Sequence, residues 1–218
     1  MRPIQNAEGH VGLTARNYPI EKTTAVTSGQ VVTLREGKIV PAAAAETGAI
    51  AGIAGEDHSG QTDVLNPRSN GEEILVCDSP GLIFECRAPE ITAASGTVTS
   101  LTAGEGEVAS AIPDGAFKGG VLALRRKSAE SGNTDVYGQR RAVTGYTAGG
   151  SFALTEGGVP AQGDVYEVYP PIGSTVCALD ETAEKLVVSG SGAAAIRVVG
   201  HDFDRHMLRL MAALHTLN

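Results

Sequence analysis

The sequence predicts a mainly β protein in which one β-domain is interrupted by a second small β-barrel domain, and one C-terminal α-helix ends the chain. Glycine supplies 28 of the 218 residues and recurs in Ser-Gly, Glu-Gly and Gly-Gly pairs, which mark turns. Short β-branched and aliphatic runs lie between these pairs, as in all-β proteins. Aromatic residues make up only 4% of the chain and Trp is absent, so small aliphatic side chains must form a thin core that association could supplement.

The first 20 residues are polar and irregular, with Pro3 and Pro19. They bury too little apolar surface to fold alone, so we expect residues 1–20 to form an extended arm that lies on a partner. A tail without a role is the alternative. The side chains that this arm would offer for contact are Ile4, Val11, Leu13, Tyr18 and Ile20.

The first β-domain begins after the arm, at residue 21. Two β-branched runs between 23 and 43 flank the turn at 35–38 and predict a β-hairpin. Small or apolar runs predict further strands at 49–55, 73–77 and 82–86. We assign residues 21–90 to this domain.

The composition shifts toward Thr, Ser, Ala and Gly near residue 91. Strands with the length and alternation of barrel strands are predicted at 120–124, 141–146, 151–154 and 164–169. The series stops at Pro170 and Pro171. These features predict an inserted small β-domain at 91–172. Strands predicted after it return to the first domain, which then comprises 21–90 plus 173–218.

The end of the chain carries an apolar stripe at three- and four-residue steps, and Asp202 or Asp204 could cap a helix there. This spacing predicts a helix from about 204 to 216. Its apolar face could pack on its own sheet or meet symmetry-related copies near an axis, and the sequence leaves both open. The residues of that face are Phe203, Met207, Leu210, Met211 and Leu214.

Charge and hydropathy limit the expected partners. The net charge of -8 repels phosphates and anionic lipids, so we expect no direct nucleic-acid or membrane partner. The sequence offers no apolar run typical of a signal peptide or a membrane span, and we expect a protein made and kept in a cytoplasm. Its basic clusters at 125–127 and 140–141 are interpreted as solvated strand ends or hairpin flanks.

The sequence offers weak candidates for chemistry. It contains no Gly-x-Ser-x-Gly, Walker or His-Glu-x-x-His motif. Residues 201–206 concentrate two histidines and two aspartates, but on a helix the histidines would diverge and the aspartates would cap it. Loop 56–59 is interpreted as a solvated turn, and the cysteines as buried thiols. We expect no catalytic, cofactor-binding or metal-binding residue, and therefore no enzyme.

Two groups of segments suggest a family. Residues 25–34, 37–42 and 50–54 repeat a strand–Gly–strand order, and this pattern resembles the capsid decoration (cement or head-stabilising) proteins of tailed bacteriophages. Residues 114–120, 143–146, 152–154 and 160–169 look like a small β-domain that recurs in phage virion proteins.

This resemblance implies a β-tulip-like or small-barrel first domain and a homo-oligomer, expected to be a trimer, on the outer capsid surface of the virion. The arm would add a strand to the major capsid protein and clamp neighbouring capsomers. Small decoration proteins lack the inserted domain and the helix, so the position on the virion stays open. A tail, baseplate or head-fibre component is the alternative. A carbohydrate-binding or hydrolytic module is a third reading, which the absence of Trp disfavours.

Overall fold

The structure is a computed structural model that describes residues 1–6, 14–42, 49–60, 72–79, 81–179, 186–188 and 196–213. Within these ranges the chain forms 19 β-strands and no helix, which confirms the prediction of a mainly β fold. The strands are β1 (Arg2–Asn6), β2 (Ala15–Pro19), β3 (Ala25–Val26), β4 (Val31–Arg35), β5 (Lys38–Pro41), β6 (Ile50–Ala54), β7 (His58–Ser59), β8 (Glu73–Cys77), β9 (Leu82–Arg87), β10 (Glu90–Thr97), β11 (Ser100–Ala103), β12 (Val121–Arg126), β13 (Arg140–Thr147), β14 (Ser151–Leu154), β15 (Val165–Tyr169), β16 (Ala178–Leu179), β17 (Leu186–Val187), β18 (Ile196–Asp202) and β19 (Met207–Ala212).

The strands form two open sheets, one closed barrel and two short ladders. One open sheet has the order β1-β9-β19-β18, and the other has the order β2-β8-β6-β4-β5. The barrel has the order β10-β11-β14-β13-β12-β15, and the two-stranded ladders are β3 with β7 and β16 with β17. All the pairings between these strands are antiparallel.

The five-stranded sheet contains the hairpin that the sequence predicted. Strands β4 and β5 pair across a turn at Glu36 and Gly37, whose φ angles of 50° and 80° suit the tight turns that join twisted hairpin strands. A parallel bridge from Ile20 to Ile39 brings the end of β2 to β5, so the sheet curls toward closure. Strands β6 and β8 approach so closely that a Cβ on Gly52 would lie 2.1 Å from the carbonyl oxygen of Cys77.

The closed barrel confirms the predicted small barrel. Its six strands lie between Glu90 and Tyr169, and β10 and β15 are neighbours in it, so the chain enters and leaves the barrel side by side. Strand β14 alternates exposed and buried residues, as expected when one face fills a barrel. An aromatic cluster fills part of the interior, with ring centroids 4.8 to 5.3 Å apart, and consists of Phe117, Tyr146 and Phe152. The domain boundaries at 20, 90 and 172 stay predictions.

The predicted helix from 204 to 216 is wrong for the residues described. Residues 207–212 form β19, which pairs with both β18 and β9. Leu208 and Leu210 are buried while Arg209 between them is exposed, the two-residue period of a strand. The backbone N–H and C=O groups of β19 are hydrogen-bonded to two neighbouring strands. This tertiary pairing favours a strand here, although the spacing of the apolar side chains also fits a helix. Phe203 lies in the β18–β19 turn, Met207 and Met211 are half-buried in β19, and Leu214 lies outside the described residues.

The free N-terminal arm is also wrong for the residues described. Strand β1 pairs with β9, and β2 pairs with β8. The described N-terminal residues therefore pair with strands of their own chain and not with those of a partner. Ile20 is 4% exposed and belongs to a core cluster. Tyr18 is half-buried and donates to Asp78 at 2.5 Å, while Ile4 lies in β1. Val11 and Leu13 lie outside the described residues.

Candidate functional site

The buried carboxylate of Glu167 lies where the barrel meets the β18–β19 turn. Glu167 is 4% exposed. Its Oε2 atom accepts a hydrogen bond from the Tyr169 hydroxyl at 2.9 Å and lies 2.9 Å from Nδ1 of His206. Nε of Arg125 lies 3.5 Å from Oε1. The carboxylate therefore has partners on both oxygens, as a buried charge requires.

Strand alternation explains why a carboxylate occupies this position. Tyr166 and Val168 point into the barrel core, so Glu167 and Tyr169 lie on the opposite, outer face. That face is covered by the β18–β19 turn, where the Phe203 ring lies 4.6 Å from the Tyr169 ring. Burial, together with the Glu167 carboxylate, raises the pKa of Tyr169, so the phenol stays protonated and donates to the carboxylate.

The β18–β19 turn holds His206 in an uncommon conformation. Its φ is 59°, the left-handed region that non-glycine residues seldom adopt. The His206 carbonyl accepts from the Ala88 amide at 3.0 Å, and the Nδ1 contact with Glu167 fixes its ring. Two independent contacts therefore keep this residue in place, as expected where a strained backbone persists.

Two open clefts adjoin this cluster, with volumes of about 330 and 440 Å³. Arg125 and Tyr137 line both of them. Tyr137 is 69% exposed. In the smaller cleft Arg140 stacks over the Phe203 ring, with Cζ 4.2 Å from its centroid, and its Nη2 lies 3.5 Å from Oδ1 of the exposed Asp204.

A second buried carboxylate fastens the same hairpin to β9. Glu85 is 2% exposed, and its carboxylate lies 3.0 Å from Nη1 of Arg205 and 3.7 Å from Nε of Arg209. Asp202 is an additional partner of both arginines. This network stabilises the four-stranded sheet and positions the turn that carries His206.

The far end of the barrel, away from the point where the chain enters and leaves, holds a buried polar network. Asp164 is fully buried. It accepts from the amides of Ser128 and Ala161, from the Ser131 hydroxyl and from the Asn133 side chain, at 2.9 to 3.1 Å. Burial alone would raise the pKa of Asp164, but these hydrogen bonds outweigh it and lower that pKa. The Asp164 carboxylate therefore joins the loop between β12 and β13 to the loop between β14 and β15 by hydrogen bonds.

Arg141 completes this network and corrects one interpretation of the basic clusters. Its side chain is 1% exposed, so it is not a solvated strand end. It donates to the carbonyl oxygens of Val98, Thr155 and Gly158 at 2.5 to 3.0 Å. Asp135 lies 3.8 Å away. Arg140, Arg125 and Arg126 are exposed.

Four other carboxylate and imidazole side chains also have structural partners. Asp202 accepts from the Arg205 amide at 3.2 Å, so it caps a turn and not a helix, and His201 Nε2 lies 2.8 Å from the Pro170 carbonyl oxygen. His58 is buried, with Nδ1 2.7 Å from the Thr24 carbonyl oxygen, so loop 56–59 is not simply solvated. Asp114 accepts from the Ala148 amide at 2.8 Å.

The described part of the chain shows neither a metal-ion cluster nor a membrane-spanning helix. Its His, Cys, Asp and Glu residues form no group of three or more arranged to hold a metal ion. None of its segments is a helix long and apolar enough to cross a membrane. No disulfide joins the three cysteines, of which Cys86 and Cys177 are buried and Cys77 is half-buried.

Sequence reasoning missed the Glu167 cluster because its members are distant in the chain. Glu167 and His206 are 39 residues apart, and no local spacing joins them. One signal could have found part of it. The Arg pairs at 125–126 and 140–141 stand at adjoining ends of two strands, so a hairpin prediction would place them side by side around the loop that carries Tyr137.

Comparison with known proteins gives no relative. No protein-family model, no curated protein and no solved structure matches this chain.

Proposed function

We propose that this chain is a structural virion protein that decorates and stabilises the capsid of a tailed bacteriophage. In this proposal it has no enzymatic activity and binds the outer surface of the major capsid protein shell as a homo-oligomer, which we expect to be a trimer. The sequence pattern described above suggests the family. An all-β chain with a closed barrel beside open sheets is compatible with it.

The observation that carries the proposal is the open edge of the four-stranded sheet. Its edge strands are β1 and β18. Residues 173 and 174 hydrogen-bond to Val198 and so cover part of β18, whereas no described strand pairs with the outer side of β1. An uncovered edge offers backbone groups to which another chain can add a strand.

The edge changes the expected mechanism of attachment. Since β1 already pairs with β9, the N-terminal segment would not be donated as a free arm. We propose instead that it accepts a strand from the capsid protein or from a neighbouring protomer. Many such contacts, repeated over a symmetric shell, would give firm attachment even where each is weak.

Binding to undecorated shells of the phage that encodes the chain tests the proposal. The protein is mixed with the shells, the shells are pelleted and the bound fraction is measured, while sedimentation gives the mass of the free protein. We expect saturable binding and a mass near three protomers. Absence of the protein from the pellet would contradict decoration, and co-purification with tails alone would favour the tail or fibre alternative.

A matched pair of variants tests the edge. Ile4→Lys places a charge on β1, a substitution that discourages strand addition, and we expect it to reduce shell binding. Ile172→Lys makes the same change at a residue that is 67% exposed and outside the strands, and we expect it to bind normally. Equal binding by both folded variants would rule out β1 as the contact.

A further inference from the structure

The two clefts beside Glu167 share a wall and together form a groove. We define the groove by the lining residues Glu90, Arg125, Tyr137, Glu167, Asp204 and His206. The volumes of about 330 and 440 Å³ each fall in the range of about 300–1,000 Å³ typical of small-molecule sites. A ligand that contacts Arg125 and Tyr137 could extend into both clefts.

Two basic side chains of the groove have nitrogen atoms that make no hydrogen bond with any described residue. Arg125 holds ion pairs with Glu167 and Glu90 but makes no hydrogen bond with any described residue. His206 contacts Glu167 through Nδ1, and within the described ranges its Nε2 has no hydrogen-bond partner. The two clefts thus set three arginines and one histidine beside three carboxylates, so the groove offers donors for an anionic group and acceptors for hydroxyl groups.

Tyr137 is an exposed ring on a rigid support. The amide of Gly138 donates to the Leu124 carbonyl at 2.8 Å, and the amide of Gln139 donates to the Val136 carbonyl at 2.9 Å, which fastens the turn to β12. Gly138 has a φ of 77° and allows the turn to close. An exposed aromatic ring on a hydrogen-bonded turn beside arginines provides a surface on which a ligand can stack.

We propose that this groove binds an acidic oligosaccharide. One sugar ring would stack on Tyr137, and Arg125 would receive the sugar carboxylate, the partner that a guanidinium fits best. The Glu90 and Asp204 carboxylates would accept hydrogen bonds from sugar hydroxyls. The same carboxylates repel a polyphosphate or a nucleic acid, which offers them few donors. The inference does not depend on the capsid proposal.

Calorimetric titration of the full-length protein tests this inference. The probes are hexasaccharides of hyaluronan, polygalacturonate and polyguluronate, which carry uronates in different linkages, with neutral maltohexaose and hexametaphosphate as controls. We expect at least one uronate probe to bind at millimolar or lower concentration and more weakly at higher salt. If none of the three binds, or if hexametaphosphate binds as tightly as the best of them, the inference is wrong.

Three variants locate the site once a probe binds. We expect Tyr137→Ala to weaken binding about fivefold or more through lost stacking, and Tyr137→Phe, which keeps the ring, to change it less. Arg125→Gln should weaken it about tenfold or more, while Arg197→Gln, at an exposed arginine of β18 outside both clefts, should not. Unchanged affinity in both Tyr137→Ala and Arg125→Gln would overturn the assignment, and matching melting temperatures exclude misfolding as the cause of a loss.

Discussion

Replacing Arg141 with Lys should destabilise the barrel although it keeps the charge and most of the side-chain volume. The guanidinium satisfies the carbonyl oxygens of Val98, Thr155 and Gly158 at once. A lysine ammonium on a flexible stem cannot reproduce that fork and would reach one of them. The Val98 carbonyl would keep its bond from the Gly157 amide at 3.0 Å, so one or two of the carbonyls would be left without a partner among the described residues, beside a side chain that is 1% exposed.

The magnitude follows from the one or two carbonyls left without a partner. A buried polar group left unsatisfied costs about 1–3 kcal/mol, so we expect a loss of about 1–6 kcal/mol in the free energy of unfolding. A loss of about 3 kcal/mol would lower the melting temperature by about 6–12 °C in a chain of this size. Because the chain has no Trp, urea unfolding is followed by circular dichroism, at one protomer concentration throughout since oligomerisation would shift the midpoint.

The neighbouring residue supplies the matched control. Arg140 has a side chain that is 49% exposed and lies over Phe203, and such contacts contribute about 1 kcal/mol or less. Arg140→Lys should therefore cost about 1 kcal/mol or less. If the two variants lost the same stability within about 0.5 kcal/mol, the buried guanidinium would not be a principal tie between the barrel loops.

Three further predictions concern other parts of the fold. Gly52→Ala should lower the urea midpoint sharply, because the new Cβ would lie 2.1 Å from a backbone carbonyl oxygen of β8. Gly132→Ala, which has open space around its Cβ, should leave the urea midpoint nearly unchanged. Equal midpoints for the two variants would refute the close approach of β6 and β8. The Asp164 carboxyl has a pKa below its usual value in the folded protein. The stability that it contributes is therefore present above the unfolded pKa of about 3.9 and is lost as the pH falls through the folded pKa. Asp164→Asn should flatten the decline of the free energy of unfolding at acid pH, and an unchanged decline would count against this role. Burial raises the pKa of Tyr18 and of Tyr166 to about 12. The phenolate absorbance of the native protein at pH 11 should therefore be lower than that of the unfolded chain, and the free energy of unfolding should decline from about pH 10 upward as the unfolded phenols ionise. Full ionisation of the native protein at pH 11 would contradict the burial of these two tyrosines.

Local patterns in the sequence predicted the β-elements that depend on neighbouring residues. The hairpin of β4 and β5 was predictable because its β-branched runs flank a turn containing Gly37. The barrel strands were predictable because short alternating runs stand between glycine-rich turns. Each of these signals is contained within about ten residues and requires no knowledge of a distant partner.

The two errors in the fold came from patterns that tertiary pairing overrides. The apolar spacing of residues 203–211 fits a helix, yet within β19 the same residues also alternate, with Leu208 and Leu210 buried. Pairing with β9 decides between the two periods, and β9 lies more than 100 residues earlier. Likewise, the polar composition of β1 and β2 gives no sign that β9 and β8 are their partners.

The groove beside Glu167 could not be predicted for a related reason. Its residues come from β10, β12, β13, β15, the loop after β12 and the β18–β19 turn. No basic residue near Glu167 in the sequence is its partner, because His206 is brought to it only when the β18–β19 turn folds over the outer face of the barrel. The histidine was instead assigned to a helix that the structure replaces with a turn.

Imaging of phage particles that contain or lack this protein tests the central proposal most directly. We expect particles with the protein to show additional density at regular positions on the outer capsid surface, and particles that lack the protein to lack this density. Additional density confined to the tail or baseplate, or no difference between the two kinds of particle, would contradict the proposal that the protein decorates the capsid.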